Sequence, residues 1–209
     1  MHITLHIAII ALLSFLVGSF PTAYLIVRRR QGKDLRLEGS GNIGTLNAYT
    51  VTRSRSVGVL VLLIDLCKGA IPVLLIKLFF PEDFTGAGIA FLFVVAGHNY
   101  SPWIGWKGGR GLAPAAGASL AFNPLFLLLW GILWMAAFWK TRSIHFGNIA
   151  ATVLAPFVVL FADSVFIVAS LFPVPTRYSM FLVFFPLCAL VFIKHLGPLR
   201  ELIALYRQH

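Results

Sequence analysis

An apolar run from Ile3 to Val27 contains no Asp, Glu, Lys or Arg. A helix that crosses a bilayer needs roughly 20 such residues, so this run is long enough to span. The rest of the chain follows suit. Only 11% of its residues are charged, against about 25% in soluble domains, and the mean hydropathy of +0.88 leaves more apolar surface than a water-bounded core can hide. Closed barrels also satisfy every backbone group in lipid, but their strands alternate over ~10 residues. The runs here are solidly apolar, so the chain is expected to be an all-α, polytopic membrane protein.

Seven transmembrane helices are expected. Five cover about 3–27, 57–80, 86–104, 148–171 and 178–193, and Asn123-Pro124 splits the stretch 112–139 into a fourth and a fifth, because proline ends a helix or starts one. The segments assigned to one side hold 14 of the 17 Lys and Arg, Lys68 and Lys77 fall in the second span, and only Arg177 lies on the other side. By the positive-inside rule the N-terminus is outside and the C-terminus cytoplasmic. The N-terminal Met-His-Ile-Thr lacks the basic region of a signal peptide, so the first span is expected to stay uncleaved. With no internal repeat, residues 1–209 read as one domain. The formal charge of +10 suits topology and anionic lipid, with an anionic substrate as the sharper reading; a nucleic-acid partner is not expected. Cys67 and Cys188 sit in apolar sequence with no metal spacing and are expected to be buried, inert thiols.

Three constellations can carry chemistry. The first polar segment contains Gly39-Ser40-Gly41-Asn42-Ile43-Gly44 and, three residues on, Asn47, a stretch suited to close backbone approach and hydrogen bonding; a plain linker is the bland alternative. The second, Lys107-Gly108-Gly109-Arg110-Gly111, places two cations among glycines just before a helix, where backbone N–H groups favour an anion. It lacks the spacing of a nucleotide-binding P-loop. In the third, Asp65 and Lys68 share one face of the second span, and intramembrane charges pair and face the bundle interior. His98, His145 and His195 stand at the inner ends of three spans, and a hydrogen-bonded interfacial role is the stronger reading for each.

Together these stretches resemble the bacterial membrane glycerol-3-phosphate acyltransferases that use acyl phosphate. The resemblance rests on Gly18-Ser19-Phe20-Pro21-Thr22-Ala23-Tyr24, the Gly39–Gly44 stretch with Asn47, Asp65-x-x-Lys68-Gly69, Gly97-His98, and Lys107 to Gly111 with Ala113 and Gly117, in family order over the first 120 or so residues. It implies transfer of a fatty acyl group from acyl phosphate to the 1-hydroxyl of sn-glycerol 3-phosphate in the cytoplasmic membrane, giving lysophosphatidic acid and phosphate, with no metal or organic cofactor. The expected catalytic residues are Ser40, Asn47 and His195. Asn42, Gly44, Lys68, His98, Lys107, Gly108, Gly109, Arg110 and Gly111 are expected to bind substrate phosphate, supported by Asp65.

The chain departs from the family pattern at Thr50, where arginine is usual, with Arg53 or Arg55 as the expected replacement. It departs again at Arg110 and Pro114, where lysine and threonine are usual, and at Pro198 in place of asparagine. Family serines appear as His145, Gly147 and Asn148. Two alternatives stay open on the residues: a lipid- or phosphate-binding membrane subunit with altered catalysis, and a small organic-phosphate transporter coupled through Asp65 and Lys68.

Overall fold

Pro21 interrupts the first apolar run. The computed structural model of the chain describes residues 2–176 and 178–206, and in it the expected continuous first span is a broken helix. Helix α1 (His2–Ser19) stops before the proline and α2 (Thr22–Gln31) starts after it. Hydropathy does not register such a break, since the residues on both sides are equally apolar. The carbonyls it frees find partners in other segments: Ser101 Oγ donates to Ser19 O at 2.6 Å and Lys68 Nζ donates to Phe20 O at 3.0 Å.

The polar segment that follows contains a short helix, α3 (Thr45–Thr52), and is not a plain linker. Helix α4 (Arg55–Phe79) is the second span, close to its expected bounds. Helix α5 (Phe84–Asn99) begins where Asp83 accepts the Gly86 N–H at 2.7 Å, and ends five residues short of the expected third span. Residues 100–104 leave the helix because Pro102 opens a 3-10 turn, Pro102–Ile104. Helix α6 (Leu112–Phe122) and α7 (Pro124–Thr141) meet at Asn123, as the proline requires. Asn123 is fully buried and its Nδ2 donates to Phe166 O at 2.7 Å. Helix α8 (Ile144–Phe161) stops ten residues before the expected end of the sixth span. The remainder turns at Ala162 into a separate α9 (Asp163–Val168). Helix α10 (Ser179–Ile193) leads through a bend of 54° into α11 (Leu196–Tyr206), where Pro198 is tolerated in the first turn. Arg177 and the end of the basic tail, 207–209, lie outside the described residues.

Four helical segments are long and apolar enough to cross a membrane, Thr4–Gln31, Arg55–Phe79, Pro124–Thr141 and Ile144–Phe161, and the bent α10–α11 pair makes a fifth if counted as one. Helix α6 has 11 residues, about 17 Å of helix, or roughly half the hydrocarbon core of a bilayer. The outer surface carries Leu12, Leu13, Leu63, Leu74, Leu128, Ile132, Phe161 and Leu182, all exposed, which is the exterior that lipid requires. Cys67 lies on this exposed face, against the expectation that it is buried, while Cys188 is buried.

Two helix pairs touch backbone to backbone. A Cβ on Gly18 would overlap Val94 O and one on Gly97 would overlap Phe15 O, which seals α1 to α5; Gly69 against Pro114 O and Gly117 against Leu66 O seal α4 to α6. Small residues at such crossings let helices gain dispersion energy where lipid supplies no hydrophobic drive. Two cores result. At the Phe84 end, Phe84, Phe91, Phe122, Phe126, Phe172 and Phe184 pack together, with Phe126 and Phe184 stacked at 4.1 Å. At the opposite end a second cluster joins Tyr24, Val27, Val57 and Val61 to Leu35, Ile43 and Ile104 from the two connecting segments.

Candidate active site

The second cluster fixes the first polar segment to the bundle, and Asn47 organises what lies above it. Its Nδ2 donates to Glu38 O at 3.0 Å and Asn42 O at 3.0 Å, with Leu35 O at 3.4 Å, and its Oδ1 accepts the Ser40 N–H at 3.0 Å. Asn47 is buried and its side-chain amide is bonded within this loop, so it holds the loop together. Asp34 and Arg36 pair at 2.6 Å. The Arg36 hydrogen bond holds the Asp34 carboxyl down at about 2, so the pair is ionised at neutral pH. Arg36 Nη1 also donates to Ile104 O at 3.3 Å and ties the first segment to the second. Asn47→Ala removes donors and acceptor together; at roughly 1 kcal/mol per hydrogen bond the loop should lose about 2–4 kcal/mol of local stability. Limited proteolysis of the purified variant should then cut within residues 32–44 far faster than in the parent, and an unchanged cleavage pattern would remove Asn47 from this role.

The second segment is pressed against the same structure. Gly109 N donates to His98 O at 3.1 Å. A Cβ on Gly109 would overlap His98 Nε2 and stand 2.8 Å from Ile43 O, and one on Gly108 would overlap His98 O. Gly111 has a φ of 82°, the left-handed region where glycine carries no penalty, and is the cap of α6. The two glycine-bearing segments therefore share one end of the bundle and touch each other.

Below them, Lys68 Nζ and Asp65 Oδ1 pair at 2.8 Å, both buried, with His98 Nδ1 at 4.0 Å from the same carboxylate oxygen. Lys68 thus has two partners, Asp65 and the Phe20 carbonyl freed at the α1–α2 break.

A cavity of about 470 Å³ opens beside these groups. Asn42, Gly44, Asp65, His98, Arg110 and Gly111 line it, as do Thr45, Trp130, Trp134, His145 and Asn148. Of the sequence candidates, six therefore reach this cavity. Lys68, Gly108 and Gly109 line a smaller void of about 10 Å³ shared with Asp65 and His98. Ser40 and Lys107 are exposed on their loops, outside both. His195 does not reach the cavity either: it is buried behind Asn148, with Nδ1 at 2.8 Å from Val191 O and Nε2 at 3.5 Å from Asn148 Nδ2. Thr50 faces solvent and bonds its own helix at Leu46 O, while Arg53 and Arg55 are exposed and absent from the cavity wall, so neither replaces the missing cation there.

The cation that does line the cavity is Arg110, half-buried, with Nη1 at 3.4 Å from His145 Nδ1. Burial lowers its pKa, and Glu201 on α11 opposes that shift; a guanidinium stays charged regardless. The sequence gives His145 an interfacial role and marks both His145 and Asn148 only as departures where the family has serine. Their signal was present: His145, Asn148 and Thr152 stand at i, i+3 and i+7 of an otherwise apolar helix, one polar stripe facing the bundle. The far wall is apolar. Leu112, Ala116 and Trp130 also line a second cavity of about 70 Å³ that runs between α6, α7, α8 and α10 toward Phe126 and Phe184.

Residues 8–205 match the family described as Glycerol-3-phosphate acyltransferase. A glycerol-3-phosphate acyltransferase of Geobacter sulfurreducens is 36% identical over 93% of this chain and 92% of its own length. One from Moorella thermoacetica is 38% identical over 71% of this chain and 75% of its own. The crystal structure of PlsY, an integral membrane glycerol 3-phosphate acyltransferase in its glycerol 3-phosphate form, superposes with a TM-score of 0.77 at 28% identity, covering 95% of this chain and 92% of that one. A lysophosphatidic acid form of PlsY gives 0.75 at 26% identity, with the same coverage. On sequence and architecture alike, this chain belongs to the glycerol-3-phosphate acyltransferase family.

Proposed function

We propose that this chain is a membrane acyltransferase that moves a fatty acyl group from acyl phosphate to the 1-hydroxyl of sn-glycerol 3-phosphate, releasing lysophosphatidic acid and phosphate for phospholipid synthesis. The observation that carries the reading is the cavity with one polar and one apolar end. Arg110, Asn42 and the backbone at the start of α6 face the polar end, where cations and N–H groups suit phosphate. The apolar end continues between helices, where a fatty chain loses its contact with water. Both substrates carry a phosphate and only the donor carries a long chain, so one cavity of this shape holds the acceptor hydroxyl against the donor's carbonyl carbon.

In the reaction the acceptor oxygen bonds to the acyl carbon, the bond from that carbon to the phosphate oxygen breaks, and the departing phosphate takes the hydroxyl proton. Charge builds on the carbonyl oxygen and the leaving phosphate, where fixed N–H donors and Arg110 act most strongly. Lys107, exposed on the same loop, adds a second cation. Asp65 and Lys68 hold the floor, and Asn47 holds Ser40 and Asn42 in place.

The site sits in a single seven-span unit of the cytoplasmic membrane, with the N-terminus outside and the glycine loops and C-terminus inside. The excess of Lys and Arg at the loop end supports this orientation, with α5 and α6 completing the count as short spans. Purified protein given acyl phosphate and glycerol 3-phosphate should form lysophosphatidic acid and inorganic phosphate in equal amounts. Arg110→Ala should lower kcat/KM by about 100-fold, the scale of a lost charge-assisted contact. A folded parent protein that forms no product would overturn the assignment.

A further inference from the structure

Between Asn99 and Lys107 the chain leaves the helix and hooks over the end of α1. Ser101 Oγ donates to Ser19 O at 2.6 Å, and the Trp103 indole N–H donates to Ser19 Oγ at 2.8 Å. The Trp106 ring lies 6.5 Å from that of Phe15, one turn before Ser19 on the same helix. Trp103 and Trp106 are nonetheless 64% and 63% exposed, as are Leu12, Leu13, Leu16 and Val17 of α1 to lesser degrees.

What covers the two indoles follows from their depth. Helices α1 and α2 together make one apolar span, Thr4–Gln31. The acidic turn marks one edge of the membrane, with His6 Nε2 at 3.0 Å from Asp83 Oδ2 beside the exposed Glu82. The exposed Arg28, Arg29 and Arg30 mark the other edge. At 1.5 Å per residue, His6 and Arg28 are about 33 Å apart along this span, close to the ~30 Å of a hydrocarbon core. On the same scale Ser19, where the hook attaches, is about 20 Å from His6 and about 13 Å inside the arginine edge. That is the depth of lipid chains, not of headgroups.

Irregular backbone at such a depth is tolerated only where the protein satisfies its polar groups. The hook does this internally. The Trp106 and Ile104 N–H groups donate to Ser101 O at 2.8 and 3.4 Å, and Gly105 N donates to Pro102 O at 3.4 Å. Ile104 O accepts from Arg36 Nη1 at 3.3 Å. Trp106 itself has a φ of 61°, a region that suits Gly or Asn and strains a bulky side chain. The backbone therefore gives no reason for an indole at this position, whereas hydrocarbon around it does.

We propose that residues 101–106 form a re-entrant hook embedded in the bilayer, with Trp103 and Trp106 packed against the chains of membrane lipid. The indoles cover the lipid side of a segment that runs straight into Lys107–Gly111. The bilayer itself thereby holds the second glycine-bearing loop against His98 and the first loop. Lys107 has a stem long enough to return its ammonium to the watery side. The inference goes beyond the acyltransferase reading and does not depend on it.

The test reconstitutes the full chain in phosphatidylcholine–phosphatidylglycerol vesicles that contain lipid spin-labelled at the headgroup or at mid-chain. Subtracting the emission of Trp103→Phe or Trp106→Phe from that of the parent isolates each indole. The mid-chain label should quench this difference emission more strongly than the headgroup label, and aqueous iodide should leave it unchanged. Stronger quenching by the headgroup label or by iodide would overturn the proposal.

Amide exchange across residues 101–109 in the same vesicles gives a second readout. Trp106→Asn relaxes the backbone but places an amide in lipid, while Trp106→Leu stays apolar and keeps the strain. Losing part of the transfer free energy of one large side chain shifts local opening about tenfold, so Trp106→Asn should exchange about tenfold faster than the parent. Trp106→Leu should stay close to the parent. In water or among headgroups the order reverses, so a Trp106→Asn protein that exchanges as slowly as the parent, or more slowly, would overturn the placement. The phenylalanine variants are conservative, so the depth measurement decides the matter even if Trp106→Asn does not fold.

Discussion

Gly109→Ala is expected to reduce acyl transfer to under about 1% of the parent's turnover while the helical bundle stays folded. The added methyl group would overlap His98 Nε2 and press on Ile43 O, 2.8 Å away. Neither neighbour can give way easily. His98 is buried on α5 and its carbonyl already accepts the Gly109 N–H, while Ile43 is anchored in the apolar cluster under the first loop. Overpacking of this kind typically costs about 1–3 kcal/mol. The bundle can absorb that by releasing the loop, but the loop carries Lys107 and Arg110. A displacement of about 1 Å at reacting groups is worth on the order of 100-fold in rate. Circular dichroism and size-exclusion chromatography in detergent report the fold, and product formation reports the site. A Gly109→Ala protein with near-normal turnover would mean that the glycine is not the contact point between the two loops.

The second large effect is expected at Lys68. In Lys68→Met, the Asp65 carboxylate loses its partner at 2.8 Å and Phe20 O loses one of its two donors, the Lys68 ammonium at 3.0 Å. Both lie where water cannot readily replace the ammonium. Removing one member of a buried pair is typically worth 3–5 kcal/mol. The double variant Asp65→Leu/Lys68→Met should recover a large part of that loss, because no unpaired charge remains and Phe20 O keeps the Thr22 N–H at 3.0 Å. Thermal denaturation in one detergent under one set of conditions compares the three proteins. A Lys68→Met protein as stable as the parent would mean that the ammonium supports neither the carboxylate nor the break between α1 and α2.

The architecture was largely legible because lipid imposes long apolar runs, and because Pro124 marks the junction of α6 and α7 without ambiguity. What hydropathy could not see was where an apolar run stops being helix. Pro21, Pro102 and Ala162 end or interrupt helices within stretches that remain apolar, so the first, third and sixth spans were drawn too long or too smooth. The first polar segment misled in the opposite way. Leu35, Ile43 and Ala48 are buried anchors, but their irregular spacing among polar residues gives no periodic signal.

At the site, the glycine-bearing motifs were readable as a chemical type, and the structure brings them into contact. Roles within them were less readable. Asn47 was expected at the reacting centre, yet its amide is fully used by its own loop. His195 was expected there too, yet it stands behind Asn148. Neither burial nor hydrogen-bond direction is written in a residue's identity. His145 and Asn148 were read only as an interfacial histidine and as replacements for family serines, because they lie some 35 residues beyond the second motif, on a helix that reads as an ordinary span.

The glycine seams between α1 and α5 and between α4 and α6 have a mechanical consequence. Where main chains abut, there is no side chain to change rotamer, so those pairs move as rigid blocks. The cavity's opposite wall is built differently, with α7 fastened to α8 through two indole hydrogen bonds, Trp130 to Thr152 and Trp134 to Asn148. Such fastenings open and re-form at modest cost. A bulky donor arriving sideways from the bilayer would therefore be admitted by the tryptophan-bearing half, while the sealed half keeps the reacting geometry still.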